Sequence, residues 1–389
     1  MILKLKIFIK YLISYIIALF IVSSRDIKSK SILLVRLDAI GDYILFRNFI
    51  QEIKESDKYK GYDISLVGNI AWKNLAQELD DKYIDSYIWI DRSKFSKSLL
   101  YRYNKLKEIT TTGYEIVINS SYSRDFFDSD NIIKLVYATQ KIAIVGDMSN
   151  CSAKQKKISD EFYTKLIPTE DIVKFEFERN KVFFEKLLEV KLDIKAPSIK
   201  LINKEYNSYL PNKKYVVIFI GASASFRKWD IQKYAYLAGY LKEKYDYEIV
   251  LCGGIADVID ANKFKLFFKY HYIDLVGKTS LLDLLHVIKS GDMMIANETS
   301  APHIAVALGG IKIFVISNGN HFGRFSPYPK NITSKYYAIY PSIIRRKLDS
   351  FKELSNTYKY GSELNINDIA VEVVKEKIDK VLYEEKYAN

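Results

Sequence analysis

The chain has 389 residues, 49% of them hydrophobic and 27% charged, enough apolar material for two domains with sizeable cores and too mixed for a disordered protein. Its two cysteines, Cys151 and Cys252, exclude a disulfide scaffold and a cysteine-based zinc site. A net charge of +12 favours anionic partners: nucleic acid, nucleotide phosphates or a phospholipid surface.

Residues 1–30 open with MILKLKIFIKYLISYIIALFIVSS, apolar apart from Lys4, Lys6, Lys10, Ser14 and the closing serines. Lys6, Lys10 and Ser14 are spaced by four, so they line one face of a helix. The unbroken apolar run from Tyr15 to Val22 is far short of the roughly 20 residues that span a bilayer. Three readings compete: an amphipathic helix lying on an anionic inner leaflet, a cleaved signal peptide, and a helix packed on the body of the protein.

From residue 31 the pattern alternates. SILLVR (31–36), DISLVG (63–68), DSYIWI (85–90), YEIVINS (114–120) and KIAIVG (141–146) read as strands, with helices expected over 43–55, 70–79, 96–109 and near 130–138. Alternating strands and helices predict a parallel sheet covered on both faces. Residues 151–212 lose this rhythm, becoming charged and mostly helical. A second series follows: strands over 215–221, 247–254, 272–277, 292–297 and 312–317, with helices over 231–244, 257–268, 280–289 and 302–308. The fold class is therefore α/β, with two Rossmann-like halves, 31–205 and 206–345, facing a cleft. A charged helical segment over 346–389 could cross back onto the first half.

In open α/β sheets, ligands gather at the carboxyl ends of strands, so the βα turns carry the candidates. The first is RLDAIGD, with Asp38, Gly41 and Asp42. Asp42 is a candidate reactive acid; the ordinary alternative is an N-cap or first-turn acid. The second half opens with GASASFRKWD. Its Ser223, Ser225, Arg227 and Lys228, just ahead of a helix, suit a diphosphate, against the alternative of solvated cations before an Asp230 cap. Gly253 and Gly254 in LCGGIAD would permit close approach of a base or ribose. VGKTS (276–280) lacks the first glycine of a Walker loop, since Tyr272 stands there; Thr279 or Ser280 as a helix cap is the better reading. ANETSAPHIAVALG ends a strand at Asn297 and Glu298, then passes through Thr299, Ser300 and Ala301 into a helix with Pro302 and His303 in its first turn. Its amides and hydroxyls suit a phosphate, while His303 is equally read as a histidine bonded within the fold. The loop SNGNHFGRFSPYP offers His321 and Arg324 for sugar or phosphate contacts.

The four histidines show no metal-ligand spacing, no G-x-S-x-G elbow is present, and Asp128–Asp130 reads as helix capping. No recognition helix argues for nucleic acid.

Four stretches together resemble glycosyltransferase family 9, the heptosyltransferases of lipopolysaccharide assembly: ILLVRLDAIGD, VIFIGASASFRKWD, DLVGKTSLLDLLHVIKSGDMMIANETSAPHIAVALGG and the GRFSPYP loop. Their order matches the family over roughly residues 31–330. The resemblance implies a GT-B fold, with the acceptor on the first domain and the nucleotide-sugar donor, ADP-heptose, on the second. It also implies an inverting reaction with no metal or other cofactor, and a lipopolysaccharide-type, lipid-linked glycan acceptor. Asp42 falls on the acid of the family's G-D turn, the candidate general base, with Asp38 as runner-up. Arg227 falls on its phosphate-contacting cation, and Thr299, Ser300 and Ala301 on its D-[ST]-G-x-x-H donor turn, where Glu298 stands in place of Asp. A cytoplasmic enzyme, peripheral on the inner face of the cytoplasmic membrane, is the expected setting. A nucleotide-sugar epimerase of the same shape, or a non-catalytic nucleotide- or carbohydrate-binding subunit, remains open on the residues.

Overall fold

Each half of the chain builds its own six-stranded sheet in a computed structural model that describes residues 11–14, 16–170, 172–201 and 210–388. The chain divides into two units, Met1–Asp171 with Phe177–Ile194, and Ile172–Glu176 with Lys195–Asn389.

The first sheet contains β1 (Ile27–Arg36), β2 (Asp63–Asn69), β3 (Ser86–Ile90), β4 (Gly113–Asn119), β5 (Ala138–Ile144) and β6 (Lys165–Ile167). Its order is β3-β2-β1-β4-β5-β6, and every pairing is parallel. The chain moves outward from β1 to β3, then returns to the other side at β4, so the β1/β4 boundary is the switch point where such sheets bind ligands. The second sheet repeats the plan with β7 (Tyr215–Phe219), β8 (Glu248–Cys252), β9 (Ile273–Asp274), β10 (Met293–Asn297), β11 (Lys312–Ile316) and β12 (Tyr336–Ile339). Its order is β12-β11-β10-β7-β8-β9, all parallel, with the switch between β7 and β10.

The strands are continuous apolar runs because helices cover both faces. All five residues of β10 are buried, and in β1 the first four are exposed and the last six buried. That strand starts earlier than its apolar run suggests. Its pairing to β4 is irregular between Lys28 and Ile32, where Lys30 has φ +49°.

Two expected helices are interrupted. The segment over 43–55 forms Ile40–Phe46 and Asn48–Glu55, parted at Arg47; that over 96–109 forms Arg92–Lys97 and Leu99–Ile109, where Ser98 caps the second by accepting from Tyr101 N. The C-terminal helix Val371–Ala388, expected to cross back to the first half, belongs to the second unit. Val374, Ile378 and Val381, one face at helical spacing, join the core of the second sheet, and Asp379 receives hydrogen bonds from Tyr240, Tyr245 and Lys244.

Near the N-terminus, residues 11–14 and 16–20 are helical. Ile13, Ile17 and Ile21 pack on the first sheet's core, so this stretch lies on the body of the first unit. Leu12, Ile16, Leu19 and Phe20 remain exposed. Lys4, Lys6 and Lys10 lie outside the described residues. Among those described, no helix is long and apolar enough to cross a membrane.

Candidate functional site

The switch point of the second sheet carries an ion pair between a half-buried arginine and a buried glutamate. β7 delivers the chain to the loop holding Ser223, Ser225, Arg227 and Lys228, and β10 delivers it to Glu298. One Arg227 nitrogen, Nη2, reaches both Glu298 Oε1 at 2.9 Å and the Glu298 carbonyl at 2.7 Å. Arg227 Nη1 donates to Ser223 Oγ at 3.1 Å, and the Ser317 hydroxyl, just past β11, donates to Glu298 Oε2. Burial raises the Glu298 carboxyl above its ordinary value, opposed by Arg227 and Ser317. Arg227 Nε is buried with no hydrogen-bond partner among the described residues, so the guanidinium keeps donor capacity for an anion.

Behind this pair the loop is pinned by Asn297, whose Oδ1 accepts from Trp229 N at 2.9 Å and whose Nδ2 donates to Ile220 O at 2.9 Å. Thr299, in extended conformation, is the N-cap of helix Ser300–Leu308 without a side-chain cap bond. Pro302 is the third helical residue, among the first-turn positions whose N–H groups have no intrahelical acceptor. Thr299 and Ser300 are half-buried and Ala301 buried, so this terminus presents amides and hydroxyls beside Arg227. Asp230 caps helix Ile231–Tyr245 by accepting from Gln232 N, and Ser280 caps Leu281–Lys289 in a capping box with Asp283.

The remaining candidates sit differently from a simple phosphate cradle. Lys228 Nζ is held by Asp257 Oδ1 at 2.6 Å and Asp260 Oδ2 at 2.9 Å. Burial pulls this ammonium down, but the two carboxylates outweigh it and leave it raised. The Gly253–Gly254 turn is closed by Asp257, which accepts from Gly254 N at 2.9 Å. His303 is buried, with Nδ1 2.7 Å from Tyr328 Oη; burial and then the Arg227 charge push it down to about 3, so it is neutral near pH 7. Arg324 reaches Glu176 Oε2 at 2.9 Å, both side chains being nearly inaccessible, so it braces the segment before the 176–188 helix. His321, at φ +53°, donates from Nδ1 to Lys359 O at 2.9 Å. A cavity of about 490 Å³ lies beside the site, with Ser223, Ser225, Lys228, Asp260 and Lys263 in its wall.

The first sheet's switch point mirrors this arrangement. Arg36, the buried last residue of β1, pairs through Nε with Asp38 Oδ2 at 2.8 Å and donates from Nη1 to Ser120 Oγ at 3.1 Å. Ser121, past β4, donates to Asp38 Oδ2 at 2.9 Å. Asn69 and Trp72 donate to the Asp38 carbonyl. Asp38 is thus engaged on its carboxylate and on its backbone. Asp42 is half-buried in the first turn of helix Ile40–Phe46, whose N-cap is Ala39. Among the described residues, no group of three or more His, Cys, Asp or Glu side chains could hold a metal ion.

Sequence reasoning missed Arg36, Ser120, Ser121, Asp257 and Ser317. Each lies at or just past the carboxyl end of a strand, and that placement is the one signal that marks them.

Two parallel α/β sheets, each with a polar cluster straddling its switch point, define a two-unit, Rossmann-like α/β protein. The model of glycosyltransferase family 9 (heptosyltransferase) matches residues 102–355, and the chain belongs to this family; it is a glycosyltransferase. Solved structures agree in fold. A glycosyl transferase family 9 protein from Veillonella parvula is 18% identical, covers 92% of this chain and 99% of its own, and superposes with a TM-score of 0.68. E. coli heptosyltransferase WaaC with ADP is 14% identical over 90% and 99%, with a TM-score of 0.65. E. coli ADP-heptose lps heptosyltransferase II is 15% identical over 92% and 99%, with a TM-score of 0.63. No curated protein sequence matches the chain.

Proposed function

We propose that this glycosyltransferase is of GT-B type and moves heptose, or a similar sugar, from a nucleoside diphosphate donor to a lipopolysaccharide-type glycan, with inversion and without a metal. The observation that carries the reading is the Arg227–Glu298 pair across the β7/β10 switch point, with the Ser300–Leu308 helix terminus beside it. A nucleoside diphosphate leaves with concentrated negative charge. A half-buried guanidinium held in place by Glu298, with convergent amides, stabilises that charge without reorganising at the moment of reaction. ADP is the first donor nucleotide to test, because WaaC was solved with ADP and with ADP-2-deoxy-2-fluoro heptose.

Asp42 is the candidate general base of the acceptor unit. It takes the proton of the acceptor hydroxyl as that oxygen attacks the anomeric carbon. The bond from that carbon to the diphosphate oxygen breaks on the opposite face, and the electron pair leaves with the diphosphate towards Arg227. Asp42 is preferred to Asp38 because it falls on the acid of the family's G-D turn, in the first turn of the helix that follows β1. Thr299, Ser300 and Ala301 contact the diphosphate, while Ser223 and Ser225 line its approach. The exposed apolar side chains of Leu12, Ile16, Leu19 and Phe20 support a peripheral position on an anionic inner-membrane surface.

The test is a transfer assay with ADP-heptose and heptose-deficient lipopolysaccharide, in the presence of EDTA. Acceptor-dependent ADP release and a product of inverted anomeric configuration are expected. Donor isomerisation without ADP release, donor binding without turnover, or activity abolished by EDTA and restored by a divalent cation would each overturn the corresponding part.

A further inference from the structure

A second cavity of the second unit, about 630 Å³ in volume, is lined by Phe226 from the loop after β7 and Asn320 from the loop after β11; β11 flanks β10 on the side opposite β7 and β8, the strand that the glycine turn follows. Phe226 contributes one wall, Asn320 another, and Tyr358, Tyr360, Ser362 and Glu363 the third. Phe226 is the residue before Arg227, yet its ring is 54% exposed, and the Tyr360 ring is 61% exposed. Large rings left open in a recess are more informative than single apolar residues on a convex surface. Among the described residues, no lysine or arginine lines this cavity.

The walls are built rather than loose. Asn318 Nδ2 donates to Leu364 O at 3.1 Å, and Ser362 Oγ donates back to Asn318 O at 2.6 Å. His321 secures Lys359 O from the same β11 loop, and Gly361 N closes a turn on Tyr358 O at 3.1 Å. The loop after β11 and the segment 357–364 are therefore laced together. That segment begins beyond residue 355, where the family match ends.

A nucleoside diphosphate sugar is a linear ligand with its diphosphate in the middle. With the diphosphate at the β7/β10 switch point, its two ends must leave on opposite sides. On one side stand the Gly253–Gly254 turn and Asp257, an acid just past the second strand of the unit, where Rossmann-like sheets place the group that meets ribose hydroxyls. On the other side stands the aromatic recess. We propose that the recess formed by Phe226, Asn320, Tyr360, Ser362 and Glu363 receives the transferred sugar and sets its identity: the rings pack on C–H faces, and the amide, hydroxyl and carboxylate take the sugar hydroxyls. The inference rests on the donor reading given above.

Phe226→Ala and Tyr360→Ala remove exposed rings, so both variants keep the wild-type melting temperature. Isothermal titration with ADP and with ADP-heptose reads the two halves of the ligand separately. The double variant is expected to bind ADP within about twofold of wild type and ADP-heptose at least about tenfold more weakly. Glu363→Gln is expected to weaken ADP-heptose alone. Equal weakening of both ligands would assign the recess to the nucleoside, and no change in either would remove it from the donor path; each overturns the proposal. A wild-type protein that binds neither ligand defeats the donor reading itself, a result distinct from these two.

Discussion

Arg227 and Glu298 lie 71 residues apart and meet across the two strands where the second sheet changes direction, the guanidinium holding both the side chain and the backbone carbonyl of the acid. The pair does two jobs at once. It ties the loop after β7 to the loop after β10, and it keeps a cation at the one place in the sheet where a ligand can approach between diverging connections.

Removing either partner should therefore have different consequences. Arg227→Ala takes away the leaving-group contact and should lower kcat/KM on the order of 10²-fold. It also leaves Glu298 buried and unpaired, so a stability loss of about 3 kcal/mol is expected. Glu298→Gln keeps the shape and a hydrogen bond while removing the charge. Its expected signature is a smaller kinetic loss, about tenfold, with weakened ADP binding and a nearly unchanged melting temperature. Titration of ADP into both variants checks the assignment. Unaltered ADP affinity in Arg227→Ala would remove the guanidinium from the diphosphate site.

The two acids of the first turn should separate in the same way. Asp42→Asn is expected to bind donor normally and to lose turnover by about 10²- to 10⁴-fold, the range of a general base. Asp38→Asn should instead remove one charged partner of the buried Arg36 and lower stability by about 2 kcal/mol. Thermal melts and single-turnover transfer on both variants distinguish them. A stable, inactive Asp38→Asn beside an active Asp42→Asn would exchange their roles.

How the site reads from sequence follows from where its parts lie. The strand-to-helix turns RLDAIGD and ANETSAPH were legible because a short apolar run ends in small residues and acids just where a helix begins. Their partners were not, because nothing local links Arg227 to Glu298, Asp38 to Ser121, or Arg324 to Glu176, which is 148 residues away. Lys228 and Arg324 looked like free cations for that reason, and pairing within the fold accounts for each. In the fold, β1 to β5, β7, β8, β10 and β11 follow apolar runs; β9 keeps only two residues of the run over 272–277, and β6 with three and β12 with four are too short for any periodicity to declare itself. The break at Ser98 needed its cap geometry to be seen. The closing helix carried an apolar face at the right spacing, but spacing alone does not name the sheet it packs against.

The N-terminal helix offers a prediction about surface rather than chemistry. Ile13, Ile17 and Ile21 hold it to the first unit, so deleting the whole segment would confuse anchoring with folding. Leu19→Glu and Phe20→Glu alter exposed positions only. They should leave the melting temperature intact and reduce co-sedimentation with vesicles containing anionic phospholipid by at least about fivefold, since each side chain forfeits roughly 1.5–3 kcal/mol of apolar burial. Full binding by the double variant would rule out this face as the membrane contact.

His303 supplies a pH dependence whose sign is unambiguous. Its folded-state value is about 3 against an ordinary 6.5, because the imidazole is buried and the Arg227 charge opposes a second cation nearby. Above pH 6.5 the ring is neutral in both the folded and unfolded chain, and it contributes nothing to the pH dependence. Below that value the unfolded chain takes up a proton that the fold refuses, so stability falls as the pH drops towards 3. The slope approaches about 1.4 kcal/mol per pH unit, which makes roughly 2 kcal/mol between pH 6.5 and 5, or about 4–8 °C in melting temperature for a unit of this size. His303→Gln retains a partner for Tyr328 and does not titrate. It should melt below wild type at pH 7.5 and close that gap at pH 5. If the two curves stay parallel across that range, the acid sensitivity arises from other groups, and His303 is not the residue that unfolded chains protonate at the fold's expense.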